Sequence, residues 1–294
     1  MLRIKPDKLS LNDALPYLKA FTKGIARAGN AVLEAVYPPR CLACGCFFRA
    51  EKNNTLSHPV DADFKESMRL HLCPECSEHQ KTVEPPICPQ CGLMLKNRAG
   101  RNRLCQRCLT YSRYFGKARA WGVYDHSLKT CIQMMKYQGR IEMGKPFGVL
   151  LFETFTRHWS ADDVDIITPV PLHLKRFRKR GFNQAWMMIH RWPKLAEKAG
   201  FRLSESQVQP EILVRCRHTE TQVGMTREKR MENLKDAFQV KNPKNVQGKR
   251  ILLADDVFTT GATSEACAKT LLDAGAARVD VITLAQTPKM IDAY

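Results

Sequence analysis

Apolar positions change period along this chain, and the changes mark out its elements. Residues 11–36 place Leu11, Leu15, Leu18, Ile25, Ala28, Val32 and Val36 at helical spacing, with Lys19, Lys23 and Arg27 on other faces. That pattern predicts an amphipathic helix within residues 1–40, packed on its own protein rather than on a membrane surface. Pro16 falls in its first turns, where it is best tolerated. Residues 49–70 are polar and irregular and read as a loop. Further on, strands are expected over Ala118–Tyr124, Asp165–Leu172, Ile251–Ala254 and Val279–Ala285. Helices are expected over Ser127–Tyr137, Lys145–His158, Gln184–Ala199 (interrupted near Trp192-Pro193) and Ser264–Ala274. Strands that alternate with helices imply an α/β fold with a parallel sheet and crossover connections. No apolar run approaches the ~18 residues a membrane span needs, and no apolar signal core follows the basic N-terminus, so a cytoplasmic compartment is expected.

Cysteine usage divides the chain further. Nine of the twelve cysteines lie between Cys41 and Cys108. Eight of them form four C-x2-C pairs: Cys41/Cys44, Cys73/Cys76, Cys88/Cys91 and Cys105/Cys108. Two residues between thiolates let a tight turn aim both sulfurs at one tetrahedral ion, and two such pairs close a structural zinc site. Pairing in chain order gives one site with a long insert and one with ribbon-like spacing. A crossed pairing, first with third and second with fourth, also satisfies the spacing. Gly45 and Gly92 follow two of the pairs directly, as the backbone of such knuckles requires. Cys46 has no partner at this spacing and reads as a spare thiol. Two structural zinc ions are therefore expected in a module over residues 41–114, ahead of the α/β domain at 115–294.

Charge narrows the partners. Forty-seven Lys and Arg against 29 Asp and Glu leave +18, with both halves of the chain basic. An anionic partner follows: nucleic acid, an acidic membrane surface or a phosphorylated small molecule.

The most informative segment is the strand Ile251–Ala254 running through Asp255, Asp256, Val257 and Phe258 into Thr259, Thr260, Gly261, Ala262 and Thr263, then a helix. A buried strand there delivers two carboxylates to its end, and small or hydroxylated residues turn into a helix N-terminus that favours an anion. Adjacent acids beside a phosphate cradle make sense if they accept hydrogen bonds from the diol of a sugar attached to that phosphate. Neither a P-loop nor a dinucleotide fingerprint occurs, which argues against nucleotide hydrolysis and hydride transfer. Residues 251–263 resemble the phosphoribosyl pyrophosphate (PRPP) binding motif of type I phosphoribosyltransferases. The resemblance implies a type I phosphoribosyltransferase-like parallel sheet flanked by helices, preceded by the small zinc-ribbon module. It also implies that Asp255 and Asp256 hold the ribose hydroxyls, that residues 259–263 hold the 5′-phosphate, and that Mg2+ accompanies PRPP. Purine enzymes of that class carry a third acid where this chain has Thr259, which weakens the case for a 6-oxopurine substrate.

A second anion site is suggested by Lys175, Arg176, Arg178, Lys179 and Arg180, which follow the strand 165–172 as a basic loop. Pyrophosphate, a nucleic-acid backbone or plain solvent would each suit it. The chain as a whole resembles the ComF family of competence-associated proteins, which includes the GntX-type members. The match rests on the cysteine pairs, Tyr124, Lys136-Tyr137, Pro169 to Leu172, Arg176, and Arg180 to Gln184. It continues through Arg215, Arg217, Thr219, Gln222, Arg230 and Asn233 to Phe238. The resemblance implies a role in natural transformation, with PRPP, single-stranded DNA and other competence or DNA-processing proteins as partners. It leaves open whether the domain is an active phosphoribosyltransferase, with Asp255 and Asp256 as catalytic residues, or a DNA-handling factor for which PRPP is only a ligand.

Overall fold

The computed structural model describes residues 38–50, 60, 63–95, 100–217, 234 and 236–288. The expected N-terminal helix, and Thr219, Gln222, Arg230 and Asn233, lie outside these residues. The described part of the 49–70 segment is not a plain loop. Its end forms helix α1 (Phe64–Met68), capped by Asp63, whose carboxylate accepts from Glu66 N at 2.6 Å. Phe64 and Met68 are buried there, four residues apart on one face, a spacing masked by their polar neighbours.

Four strands make one parallel sheet: β1 (Ala118–Val123), β2 (Ile166–Pro169), β5 (Arg250–Phe258) and β6 (Arg278–Gln286), in the order β1-β6-β5-β2. Two strands between β2 and β5, β3 (Leu213–Arg215) and β4 (Phe238–Val240), pair antiparallel as a separate ribbon that the apolar pattern does not predict. Helices α4 (His126–Tyr137) and α5 (Gly144–His158) connect β1 to β2, and α9 (Ala262–Asp273) connects β5 to β6. The expected Gln184–Ala199 helix is broken into α7 (Gln184–Ile189) and α8 (Trp192–Lys198), with Pro193 in the first turn of the latter.

Side-chain alternation along the central strands separates two apolar cores. Leu252, Ala254, Ile282 and Leu284 face α5 and α7, together with Cys41 and Cys73. Ile251, Leu253, Val279 and Val281 face α9, together with Cys88, Cys91, Cys105 and Cys108. Period two in the strands thus sends alternate residues to opposite layers. Helix α5 is buried nearly all round, with Phe147, Leu150, Leu151, Phe152 and Phe155 fully inaccessible, so it packs as a core helix between sheet and α7. Its one buried acid, Glu153, is answered by Arg157 one turn on. Each such Leu or Phe contributes about 1.5–3 kcal/mol of burial.

Two further short helices, α2 (Pro74–Glu78) and α3 (Gln106–Thr110), each begin directly after a cysteine. Cys41, Cys44, Cys73 and Cys76 converge in one group, and Cys88, Cys91, Cys105 and Cys108 in another, the ligand atoms of each group lying within 4.8 Å of one another. The pairs therefore combine in chain order, and the crossed pairing is excluded. Gly92 shows why the knuckle needs glycine: its φ is +71°, and a Cβ there would lie 2.5 Å from the Ala118 carbonyl oxygen of β1. The second group also receives a backbone bond, Cys105 N to Cys88 Sγ at 3.4 Å. Four soft thiols with a backbone N–H turned onto one sulfur fit a closed zinc site, so each group could hold one ion.

Candidate functional site

At the carboxyl ends of β2 and β5 lies a cavity of about 660 Å³. Such edges collect ligands in parallel sheets because strand ends and helix N-termini meet there. Asp255, Asp256, Val257, Thr259 and Thr263 line one wall. Strand β5 runs beyond the expected Ala254 to Phe258, so both acids sit inside the strand and are held rigidly by pairing with β6. Asp255 Oδ1 accepts the Asp256 amide at 2.8 Å. Burial and the adjacent Asp256 push the Asp255 carboxyl up to about 7. Lys136, from the last turn of α4, donates to Asp256 Oδ1 at 2.7 Å. Burial alone would lower the Lys136 ammonium, but Asp256 outweighs it and the net direction is up, so Lys136 keeps its charge.

The turn after β5 is set by Gly261, whose φ of +82° is left-handed and whose missing Cβ would otherwise sit 2.7 Å from the Phe258 ring. Helix α9 begins immediately, and its first internal bond runs from Glu265 N to Gly261 O at 2.8 Å. Amides before Glu265 therefore have no intrahelical acceptor, as at every helix start, and this start opens beside the two carboxylates. Within the predicted segment, Thr259 and Thr263 reach the cavity wall. Phe258 and Ala262 are instead buried in the core beneath the turn.

The opposite wall is cationic. The run from Lys175 to Arg180 is not a loop, as expected, but helix α6 (Leu174–Arg180). Arg and Lys are good helix formers, His173 Nδ1 caps its start by accepting Lys175 N at 3.2 Å, and left-handed Gly181 ends it. Arg176, Lys179 and Arg180 line the cavity, whereas Lys175 and Arg178 point to solvent. Arg180 donates to Gln184 Oε1 at 2.9 Å, and its guanidinium lies 5.5 Å from the centre of the exposed Tyr137 ring. Gln184 is buried, yet its Nε2 has no hydrogen-bond partner among the described residues. Arg215, on β3, closes the cavity from the side and lies over Phe238 at 5.3 Å.

Lys136, Tyr137, Gln184 and Arg215 are legible in the sequence only through the family resemblance, since they sit on three separated segments that no local spacing joins. Cys46, expected as a spare thiol, lies 3.2 Å from Cys44 Sγ, at the edge of the first cysteine group and outside its four-ligand set.

A parallel α/β domain with two adjacent acids near the carboxyl end of a central strand, a left-handed glycine turn into a helix and two four-cysteine groups defines a restricted class of protein. No family model matches the chain. Among curated proteins it is 33% identical over 223 residues to DNA utilization protein YhgH of Escherichia coli (strain K12), covering 74% of this chain and 90% of that protein. It is 30% identical over 222 residues to Competence protein F of Haemophilus influenzae, covering 73% and 90%. Competence protein ComFC of Bacillus subtilis matches at 27% over 222 residues, covering 72% and 83%. The chain belongs to the ComF family. Among the described residues, no helix is long and apolar enough to cross a membrane.

Proposed function

We propose that this chain is a competence-associated protein that binds PRPP in the cavity at the sheet's carboxyl edge and handles single-stranded DNA along the basic rim of that cavity, in the cytoplasm. The observation that carries the reading is the meeting of three complementary groups in one space. The Gly261 turn suits a 5′-phosphate, Asp255 and Asp256 suit a ribose diol, and Arg176, Lys179 and Arg180 suit a pyrophosphate. Lys136 already engages Asp256, so Mg2+ would be carried mainly by pyrophosphate oxygens rather than by a protein cage. The names of the relatives, DNA utilization protein and Competence protein F, support the biological role.

DNA cannot share the diol subsite. Deoxyribose lacks the 2′-hydroxyl that Asp255 and Asp256 would hold. The rim offers what single strands need instead: exposed Tyr137 and Phe177 for stacking, with Lys175, Arg178 and Lys179 for phosphates.

The completeness of the sugar-phosphate cavity also favours a second reading, an active phosphoribosyltransferase. An acceptor lone pair would form the new bond to ribosyl C1 as the C1–oxygen bond breaks, and the electron pair would leave with pyrophosphate, stabilised by the cationic wall. Thr259 supplies no base there, so the acceptor's proton would pass to solvent.

Two assays separate the readings. Pyrophosphate release from PRPP is measured with the purified chain and candidate acceptors, and transformation is scored in cells carrying Asp255→Asn with Asp256→Asn. Binding without release, together with lost transformation, supports PRPP as a ligand in DNA handling. Acceptor-dependent release supports the enzyme. Absence of PRPP binding overturns both.

A further inference from the structure

The second cysteine group lies on the α9 side of the sheet, against the underside of the phosphate turn, and two separate contacts join them. Arg113, five residues after Cys108, donates through Nη1 to Glu265 Oε1 at 2.8 Å, with both side chains almost fully buried. The neighbouring Tyr114 amide donates to the other carboxylate oxygen, Oε2, at 3.0 Å. Glu265 is the residue whose own amide makes the first bond of α9, to Gly261. Holding its side chain from below therefore fixes the register of the turn above. The same guanidinium faces the Cys108 sulfur, so it bridges the cysteine group and the helix.

The second contact is apolar. Phe115 meets Phe258 edge-on, with ring centres 6.0 Å apart, and the Phe258 ring is also the surface on which Gly261 rests. Arg113 lies 5.6 Å from the centre of the Phe115 ring, so the ionic and aromatic contacts form one block. Among the described residues, the first cysteine group makes no such contacts with the Gly261 turn. It packs on the opposite face, where Cys76 O accepts from Ser127 Oγ at the start of α4.

We infer that the second four-cysteine site sets the conformation of the phosphate turn, with Arg113 as its positioning residue, so that metal in that site strengthens binding of a phosphorylated ligand. This rests on the PRPP reading for the ligand but not for the coupling. When the site is loaded, the segment from Cys108 to Phe115 is fixed, and Glu265 and Phe258 hold the Gly261 turn open to an anion. When it is empty, that segment loses its anchor and the turn is supported only by its own backbone.

The test uses the full chain. Arg113→Leu with Glu265→Leu removes both buried charges together, which packed cores generally tolerate, and leaves every cysteine in place. Amide hydrogen exchange over residues 259–264 and calorimetric affinity for PRPP with Mg2+ are read side by side, with zinc content measured in each sample. The double variant should keep its zinc, exchange these amides about tenfold faster and bind PRPP about tenfold more weakly, a typical coupling magnitude. Arg113→Lys, which keeps one charged donor, should recover part of both. Cys88→Ser with Cys91→Ser should act like the double variant, while Cys41→Ser with Cys44→Ser should leave the 259–264 amides as in the unaltered chain.

Unchanged exchange in the zinc-loaded Arg113/Glu265 variant overturns the inference, as does equal loosening from either cysteine group. If the unaltered chain binds no PRPP but exchange still responds to the second site alone, the coupling stands and the PRPP reading falls.

Discussion

At the scale of single residues, the site is built from groups held where they are uncomfortable. Asp255 is the clearest case. Its carboxyl is raised to about 7 by burial and by Asp256, so folding favours its protonated form. The resulting penalty is absent below the ordinary carboxylate value of ~4, grows as pH rises toward the folded value, and is full above it. Asp255→Asn should therefore raise the melting temperature at pH 8 by about 2–4 °C per kcal/mol relieved, and should change it little at pH 4. Thermal unfolding at the two pH values checks this; a destabilised variant at pH 8 contradicts it. Gly261→Ala makes the opposite case. The new Cβ meets the Phe258 ring at 2.7 Å in a left-handed backbone, so the turn must shift, at a cost of about 1–3 kcal/mol. A melting curve close to that of the unaltered chain would show that the turn tolerates a side chain.

At the scale of elements, α6 carries the argument. Five cations on seven residues repel one another unless an anion lies nearby, yet the caps at His173 and Gly181 still make it a helix. From sequence this run reads as a loop, because its charge density masks ordinary helix propensity. Where periodicity is strong, in β1, α4, α5 and β6, the expected spans match to within a residue or two. Strand β5 is longer than its apolar residues predict, because its acids look like a turn and only pairing with β6 extends it. The β3–β4 ribbon, three residues per strand, leaves too little pattern to read. The cavity itself is half legible: one contiguous motif gives its acidic and threonine-lined wall, whereas Lys136, Gln184 and Arg215 meet it only in three dimensions. If α6 holds single-stranded DNA through phosphates, the salt dependence of binding reports it. Arg178→Ala with Lys179→Ala should flatten the slope of log K against log salt by about 0.7 for each phosphate no longer neutralised. A slope unaltered by both changes would move the DNA to another face.

At the scale of the whole molecule, two cysteine groups flank one sheet, each merged with the core of its own face. Elemental analysis should give about two zinc per chain, one for each four-thiolate group. Their removal should loosen the domain as well as the knuckles, because Cys88, Cys91, Cys105 and Cys108 share a core with β5, β6 and α9. A chelated protein that melts like the loaded one would show that the cysteines pack well enough without metal. On the proposed reading, the net charge of +18 meets a polyanion, while the acidic pair inside the cavity would select against that polyanion and for a sugar diol.

That selection is the central claim, and calorimetry with PRPP and Mg2+ on the unaltered chain and on Asp255→Asn with Asp256→Asn tests it most directly. Each charge-assisted bond from a hydroxyl to a carboxylate contributes about 1.5–3 kcal/mol. Losing that assistance at both acids should weaken binding at least about tenfold, or ~1.4 kcal/mol, with zinc content unchanged and DNA affinity equal or slightly higher. PRPP affinity that is the same in both proteins would mean that Asp255 and Asp256 do not hold a ribose.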